Sequence, residues 1–210
     1  MKANREYRDM TMSIAPEVRE DEEGKMMVRG YASTFNEPYT LYEDEDLQFD
    51  EVVDANAFAN TDMSDVIMQY NHEGRVFART RNNTLTVTPD EKGLLIEADL
   101  SGTELGRQLY EEIRGGYTDR MSFGFTVDGE DRAEQEDSDG HVMITRTITS
   151  VKKLYDVSAV SIPANDATSI SVRNLTDGEI QRIQTERSER EELELLRKRL
   201  QLKAKLMKGV

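Results

Sequence analysis

Two residue types in this sequence could together form an activated nucleophile. Ser122 lies in the run Met-Ser-Phe-Gly-Phe of residues 121–125, where large apolar residues alternate with small ones. Such alternation predicts a half-buried strand that presents the serine on its less apolar face. His72 lies in the run Asn-His-Glu of residues 71–73. A hydroxyl is a weak nucleophile until a base takes its proton, so the serine and the histidine could act as nucleophile and general base.

Other residues near the serine and the histidine are weaker candidates for a role in the site. Gly124 has no side chain, so a second backbone or a substrate chain could approach the serine closely. His141 is the only other histidine and follows an acidic run, which predicts a solvated hairpin tip. Glu73 beside His72 suggests metal ligation, but two histidines and no cysteine are too few ligands for a typical zinc site. No metal and no other cofactor is therefore predicted.

An oxyanion formed on a peptide carbonyl would need backbone N–H donors. Gly115 and Gly116 could form such a loop, but a glycine pair after a helical pattern is better interpreted as the end of that helix. The helix itself is predicted from Leu105, Leu109 and Ile113, which recur at helical spacing. Upstream, residues 101–104 have the form of a capping box with Ser101 as the N-cap.

Composition limits the class of protein. The chain has 210 residues, no cysteine and a formal net charge of −15. Residues 175–210 carry nine Lys or Arg and seven Asp or Glu, so the excess of acid lies in the body. An acidic body repels phosphates, and we expect no nucleic-acid binding by the main domain. No apolar run is long enough for a membrane span, and residues 1–9 lack the apolar core of a secretory signal.

Seven or eight short strand patterns, mostly joined by hairpin turns, fill the region between residues 26 and 162. Together with the internal helix they predict a β-rich α+β fold: a mostly antiparallel β-barrel of about seven strands flanked by helices. Residues 177–208 form a helical tail whose apolar stripe is interrupted. We predict three parts: a polar mobile or edge segment (1–25), a main domain (26–172) and the tail (173–210).

Four segments resemble the prohead proteases of tailed phages, the family that serves capsids of the HK97 type. They are Gly-Tyr-Ala-Ser-Thr-Phe-Asn at 30–36, Asn-His-Glu at 71–73, Met-Ser-Phe-Gly-Phe at 121–125, and Leu-Tyr-Asp-Val-Ser-Ala-Val-Ser-Ile-Pro-Ala-Asn at 154–165. Their order and spacing also match, and the resemblance covers residues 26–172.

The resemblance implies a serine endopeptidase with a fold like that of the herpesvirus assembly protease. By matching position, Ser122 is the nucleophile and His72 the general base. Asp156 stands where the family more often has Glu, and it is the candidate for the third residue that orients the histidine. His141 is an alternative third residue, because herpes-type proteases use a second histidine, although its acidic surroundings favour a solvated position.

The resemblance also implies partners and a place of action. The substrates would be the major capsid protein, its scaffolding segment and the protease itself, inside the assembling prohead in the host cytoplasm, with a homodimer as one candidate assembly. The acidic body favours substrates cleaved near basic residues. The tail would bind scaffold or carry a self-cleavage site. The competing hypothesis is a non-enzymatic scaffold or capsid-interaction protein on the same barrel.

Overall fold

The protein is described here from a computed structural model, which describes residues 5–10, 17–20, 24–45, 47–138, 140–160 and 170–207. Eleven strands, two α-helices and one short 3-10 helix (Thr80–Asn82) follow one another along this part of the chain. No helix among these residues is long and apolar enough to cross a membrane. The strands are β1 (Glu6–Met10), β2 (Glu17–Glu20), β3 (Met26–Thr34), β4 (Tyr39–Glu43), β5 (Leu47–Val53), β6 (Ile67–Tyr70), β7 (Glu73–Arg79), β8 (Leu85–Pro89), β9 (Gly93–Asp99), β10 (Arg120–Glu136) and β11 (Val142–Val160); the helices are α1 (Glu104–Arg114) and α2 (Ile170–Met207).

The strands form two sheets. The larger has seven strands, in the order β1-β10-β11-β5-β4, with β6 on another part of β11 and β7 beside β6. The smaller has four strands, in the order β2-β3-β9-β8. Strand β3 of the smaller sheet lies against β10 of the larger one. The β-rich α+β class is therefore confirmed.

The predicted barrel is wrong. Strand β11 pairs in parallel with β5 through residues 142–148 and with β6 through residues 156–159. The larger sheet is thus mixed, and within the described residues no pairing joins the outer strands of either sheet. Parallel neighbours are joined by long connections, so the hairpin spacing in the sequence could not reveal them. Residues 142–160 form one long strand in place of short ones, and residues 161–165 of the last motif lie outside the described residues.

The larger of two apolar clusters contains residues of both sheets, and the smaller one consists of Leu47, Phe49, Val142 and Ile144. Alternate residues of β10 and β3 point into the larger cluster, as the period of a strand requires. Helix α1 closes one side with its apolar stripe. The N-cap of α1 is Thr103, whose side chain accepts a hydrogen bond from the Gly106 amide at 2.9 Å, and not Ser101 as predicted. The core includes Val28, Ala32, Phe58, Ile96, Leu109, Ile113, Met121, Phe123, Phe125, Leu154 and Val157.

The C-terminal tail is helical, as predicted, and α2 begins earlier than the sequence pattern indicated. Arg182 and Arg190 of α2 pair with Glu134 and Glu136 of β10, at 2.6 and 2.9 Å. These ion pairs link the helix to the acidic tip of the β10–β11 hairpin. Four leucines farther along α2 are exposed: Leu193, Leu195, Leu196 and Leu200.

Candidate active site

Strand β10 presents Ser122 on the face that turns away from the apolar core. Its neighbours Met121 and Phe123 have no exposed surface and pack into that core, which fixes the orientation of the strand. Ser122 is paired with Ser158 of β11, and Gly124 with Asp156. The period of two along each strand therefore brings the hydroxyl and the carboxylate to the same face of the sheet.

His72 reaches this face from a tight hairpin between β6 and β7. Asn71 and His72 form its two-residue turn, with positive φ angles of 49° and 59°. Two-residue hairpin loops of this kind need positive φ at both positions, a conformation that is uncommon for residues other than glycine but that Asn and His adopt more often than most. Because β6 pairs in parallel with β11, the turn lies beside the Asp156–Ala159 segment. The Asn71 amide donates to the Ala159 carbonyl at 3.1 Å, which fixes the turn on β11.

The three residues predicted from the sequence meet in one row of hydrogen bonds. Nε2 of His72 lies 2.5 Å from Oγ of Ser122, and Nδ1 lies 2.5 Å from Oδ1 of Asp156. The Asp156 side chain is 2% exposed and that of His72 is 15% exposed. A carboxylate on Nδ1 fixes the tautomer that leaves Nε2 able to accept a proton from a hydroxyl.

Ser158 also belongs to the site, although the sequence pattern did not lead us to predict it. Its Oγ accepts a hydrogen bond from the His72 backbone N–H at 3.3 Å and lies 3.2 Å from Nδ1 of the same residue. The hydroxyl also donates to Asp156 at 3.3 Å. Ser158 is fully buried and follows Asp156 by two positions, so strand alternation within the last motif could have revealed it.

Gly124 gives room to the site itself. A Cβ atom at this position would lie 2.4 Å from Oδ2 of Asp156 and 2.8 Å from the ring of Tyr7. The close approach predicted from the sequence is therefore real, but the groups that approach are the carboxylate and an aromatic ring.

Strand β1 covers the serine. It pairs antiparallel with β10, with Asp9 opposite Ser122 and Arg8 opposite Phe123. The Oγ of Ser122 lies 2.8 Å from the Arg8 carbonyl oxygen, and Ser122 has no exposed surface. The ring of Tyr7 lies edge-on to the His72 ring, with centroids 4.6 Å apart. The polar N-terminal segment thus contains an edge strand that lies on the candidate site.

A buried ion cluster lies on the other face of β1. Nε and Nη2 of Arg8 donate to the two carboxylate oxygens of Glu51 at 2.5 and 2.8 Å. Arg146 donates to Glu6 and to Glu51, each at 2.7 Å. The Tyr39 hydroxyl donates to Glu51 as well. Nothing in the sequence pattern predicted this cluster, because its members come from four strands far apart in the chain.

Burial and neighbouring charges shift the pKa values of several residues in this cluster. Burial opposes the charge on Arg8, but Glu51 outweighs it, so the pKa of Arg8 lies above its usual range. Burial raises the pKa of Tyr39 well above its usual value, and Glu51 raises it further. Burial would also raise the pKa of Glu6, but hydrogen bonds and the charges of Arg146 and Arg8 lower it overall.

The remaining candidates lie elsewhere. The His141 amide donates to the Asp137 side chain at 2.9 Å, at the tip of the β10–β11 hairpin and beyond the last strand pair, far along β11 from Asp156. The amides of Gly115 and Gly116 donate to the Glu111 and Ile113 carbonyls of α1, so both are used in ending that helix. Among the described residues no three His, Cys, Asp or Glu side chains form a metal-binding group.

Comparisons with known proteins give two findings. The family model described as "Caudovirus prohead serine protease" matches residues 15–182. Among solved structures, the chain is similar to the bacteriophage T4 capsid assembly protease, gp21, with 10% sequence identity and a TM-score of 0.40. That match covers 74% of this chain and 96% of the other. No curated protein matches.

Proposed function

Since this chain belongs to the caudovirus prohead serine proteases, we propose that it is an endopeptidase with Ser122 as nucleophile, His72 as general base and Asp156 as the residue that orients the imidazole. The observation that carries this assignment is the row of two 2.5 Å contacts that links hydroxyl, imidazole and carboxylate. Serine, histidine and acid in this order are the arrangement that activates a hydroxyl in unrelated hydrolases.

The reaction has two halves. Ser122 Oγ attacks the peptide carbonyl carbon while its proton passes to Nε2 of His72. The C–N bond then breaks, the amine leaves with the proton from Nε2, and an ester remains on Ser122. Water attacks the ester and gives its proton to His72, which returns it to the departing serine oxygen.

The Asp156 carboxylate acts through the histidine. It accepts the Nδ1–H throughout and stabilises the imidazolium that forms in each half reaction. Its burial removes competing water, so its negative charge acts on the imidazole with little screening. Asp is one methylene shorter than Glu, and the parallel pairing of β6 with β11 brings His72 close enough for the shorter acid.

The proposed substrates are the major capsid protein and its scaffolding segment, within the assembling prohead in the host cell. The chain itself is a further proposed substrate, and a homodimer is a proposed assembly. Because β1 covers Ser122, a substrate strand reaches the hydroxyl only when β1 moves off β10. Sheet edges bind peptides in this way, by adding a strand whose main chain completes the hydrogen bonding.

Coexpression with the major capsid protein tests the proposal. We expect shortened capsid protein with the wild-type chain and intact capsid protein with Ser122→Ala. Ser33→Ala is a matched control, because Ser33 is equally buried but lies in β3 of the other sheet. Capsid protein shortened equally by the Ser122→Ala variant would contradict the proposal. If the wild-type chain and the Ser122→Ala variant both bind capsid protein and neither shortens it, the non-enzymatic scaffold hypothesis is favoured.

A further inference from the structure

Strand β1 lies against the candidate nucleophile as a bound peptide would. It adds antiparallel to β10 directly beside Ser122, and its Arg8 carbonyl oxygen is the backbone oxygen that the hydroxyl contacts, at 2.8 Å. In a substrate strand of the same register, the residue in the place of Arg8 would precede the bond nearest the nucleophile. The side-chain pockets that β1 fills therefore indicate what such a substrate would carry.

The pocket for the Arg8 side chain is built by the body of the protein. Glu51, from the middle of β5, has no exposed surface and meets the guanidinium through both carboxylate oxygens. Tyr39 of β4 donates to the same carboxylate, and the Phe125 ring lies 5.6 Å from the guanidinium carbon. A planar guanidinium matches a carboxylate with two parallel hydrogen bonds, a geometry that the lysine ammonium cannot reproduce.

A second pocket lies two residues earlier. Nη1 of Arg146 donates to Glu6 at 2.7 Å, while Arg146 also contacts Glu51 and Glu130. Without β1, the body contributes two carboxylates and one guanidinium here. One guanidinium does not neutralise two carboxylates, so the pocket keeps a net negative charge and favours a positively charged occupant beside Glu51. Arg146 in turn favours an acidic side chain at the position of Glu6.

We propose that Glu51 is the specificity-determining residue of this peptidase: it selects substrates with arginine immediately before the cleaved bond. Arg146 adds a preference for an acidic residue two positions before that arginine. The inference rests on the proposed function and names its substrate class, peptides of the form Glu-x-Arg. Neither residue touches the reacting atoms, and both act by holding substrate side chains.

A peptide series tests the assignment with the full-length protein. The parent peptide copies residues 4–12, with the residue corresponding to Arg5 changed to Ala, and its relatives carry Lys, Gln or Glu in place of the arginine that corresponds to Arg8. We expect kcat/KM to be about 10- to 100-fold lower for Gln than for Arg, since a charged hydrogen bond is lost. Lys should fall between them, and Glu should be lowest. Replacing the first Glu of the peptide by Gln should lower kcat/KM by a smaller factor.

The Glu51→Gln variant should bring the Arg and Gln peptides to within about threefold of each other. Glu97→Gln is the matched control, because Glu97 belongs to β9 of the other sheet; it should keep the wild-type ratio. The comparison of the peptides with the wild-type protein does not depend on whether the Glu51→Gln variant folds. Ser122-dependent hydrolysis without preference for Arg would overturn the inference and leave the peptidase intact, as would failure to cleave these peptides by a protein whose Ser122 reacts with a phosphonate. Absence of both hydrolysis and reaction at Ser122 would overturn the proposed function, and the specificity with it.

Discussion

The hydroxyl oxygen of Ser122 lies 2.8 Å from the Arg8 carbonyl oxygen, although 114 residues separate the two in the chain. This contact, together with the pairing of β1 and β10, leaves the serine without exposed surface. We therefore expect the reactivity of Ser122 to depend on how firmly β1 is held, both by its pairing with β10 and by the buried ion cluster.

Reversing the charge of Arg8 should release β1. The Arg8→Glu variant places a second carboxylate against Glu51, and breaking a buried ion pair costs about 3–5 kcal/mol. We expect Ser122 to react with a fluorophosphonate at least about tenfold faster than in the wild type, as one tenfold step needs only about 1.4 kcal/mol. Arg114→Glu, on the exposed end of α1, is the control and should react at the wild-type rate. A folded Arg8→Glu protein with wild-type reactivity would show that β1 does not limit access.

Acid should weaken the same strand. The pKa of Glu6 is lowered in the folded protein, where it pairs with Arg146 and Arg8, so the glutamate stabilises the docked strand only while it is ionised. That contribution is complete above pH 4.5, the usual pKa of glutamate, and is lost as the pH falls from there through the lower pKa of the folded state. Amide hydrogen exchange, corrected for its intrinsic pH dependence, should show residues 6–10 losing protection over this range before β9 does. Equal protection of both strands down to global unfolding would refute this.

Gly124→Ala should disable the site. The new Cβ would meet Oδ2 of Asp156 at 2.4 Å, so the carboxylate must shift from the imidazole that it orients. We expect hydrolysis to fall about 100-fold or more, because an imidazole without a correctly placed acid loses most of its activity. The unfolding free energy should fall by about 1–3 kcal/mol from overpacking. At Gly102 a Cβ meets nothing within 4 Å, so Gly102→Ala is the control that should keep activity. Full activity in Gly124→Ala would show that Asp156 does not need to orient the imidazole.

Ser158→Ala tests the positioning of His72. The serine accepts from the His72 backbone N–H at 3.3 Å and therefore supports the turn that carries the imidazole. We expect kcat to fall about tenfold with KM unchanged, the pattern of a misplaced base. Ser33→Ala, also buried, should change neither constant. If both variants lose stability alike and neither changes kcat, Ser158 has a structural role only.

The sequence predicted the parts of the site that local pattern can carry. Alternation around Ser122 predicted its strand and the face it presents, and the motif residues His72 and Asp156 lie beside it. Pairing between distant strands was not predictable in the same way. Strand β11 pairs in parallel with β5 and β6, and Arg8 contacts Glu51, although these residues are distant in the chain. Such contacts depend on how distant strands align with one another, and no short stretch of sequence carries that information.

Covalent capture of the nucleophile tests the central claim most directly. A fluorophosphonate should form one adduct, which peptide mass spectrometry places on Ser122 in the wild type and, faster, in Arg8→Glu. His72→Ala should lower the rate by about 1,000-fold or more, while His141→Ala, at the hairpin tip, should leave it unchanged. No adduct at Ser122 in either the wild type or Arg8→Glu, or equal labelling with and without His72, would contradict the assignment of Ser122 and His72 as nucleophile and base.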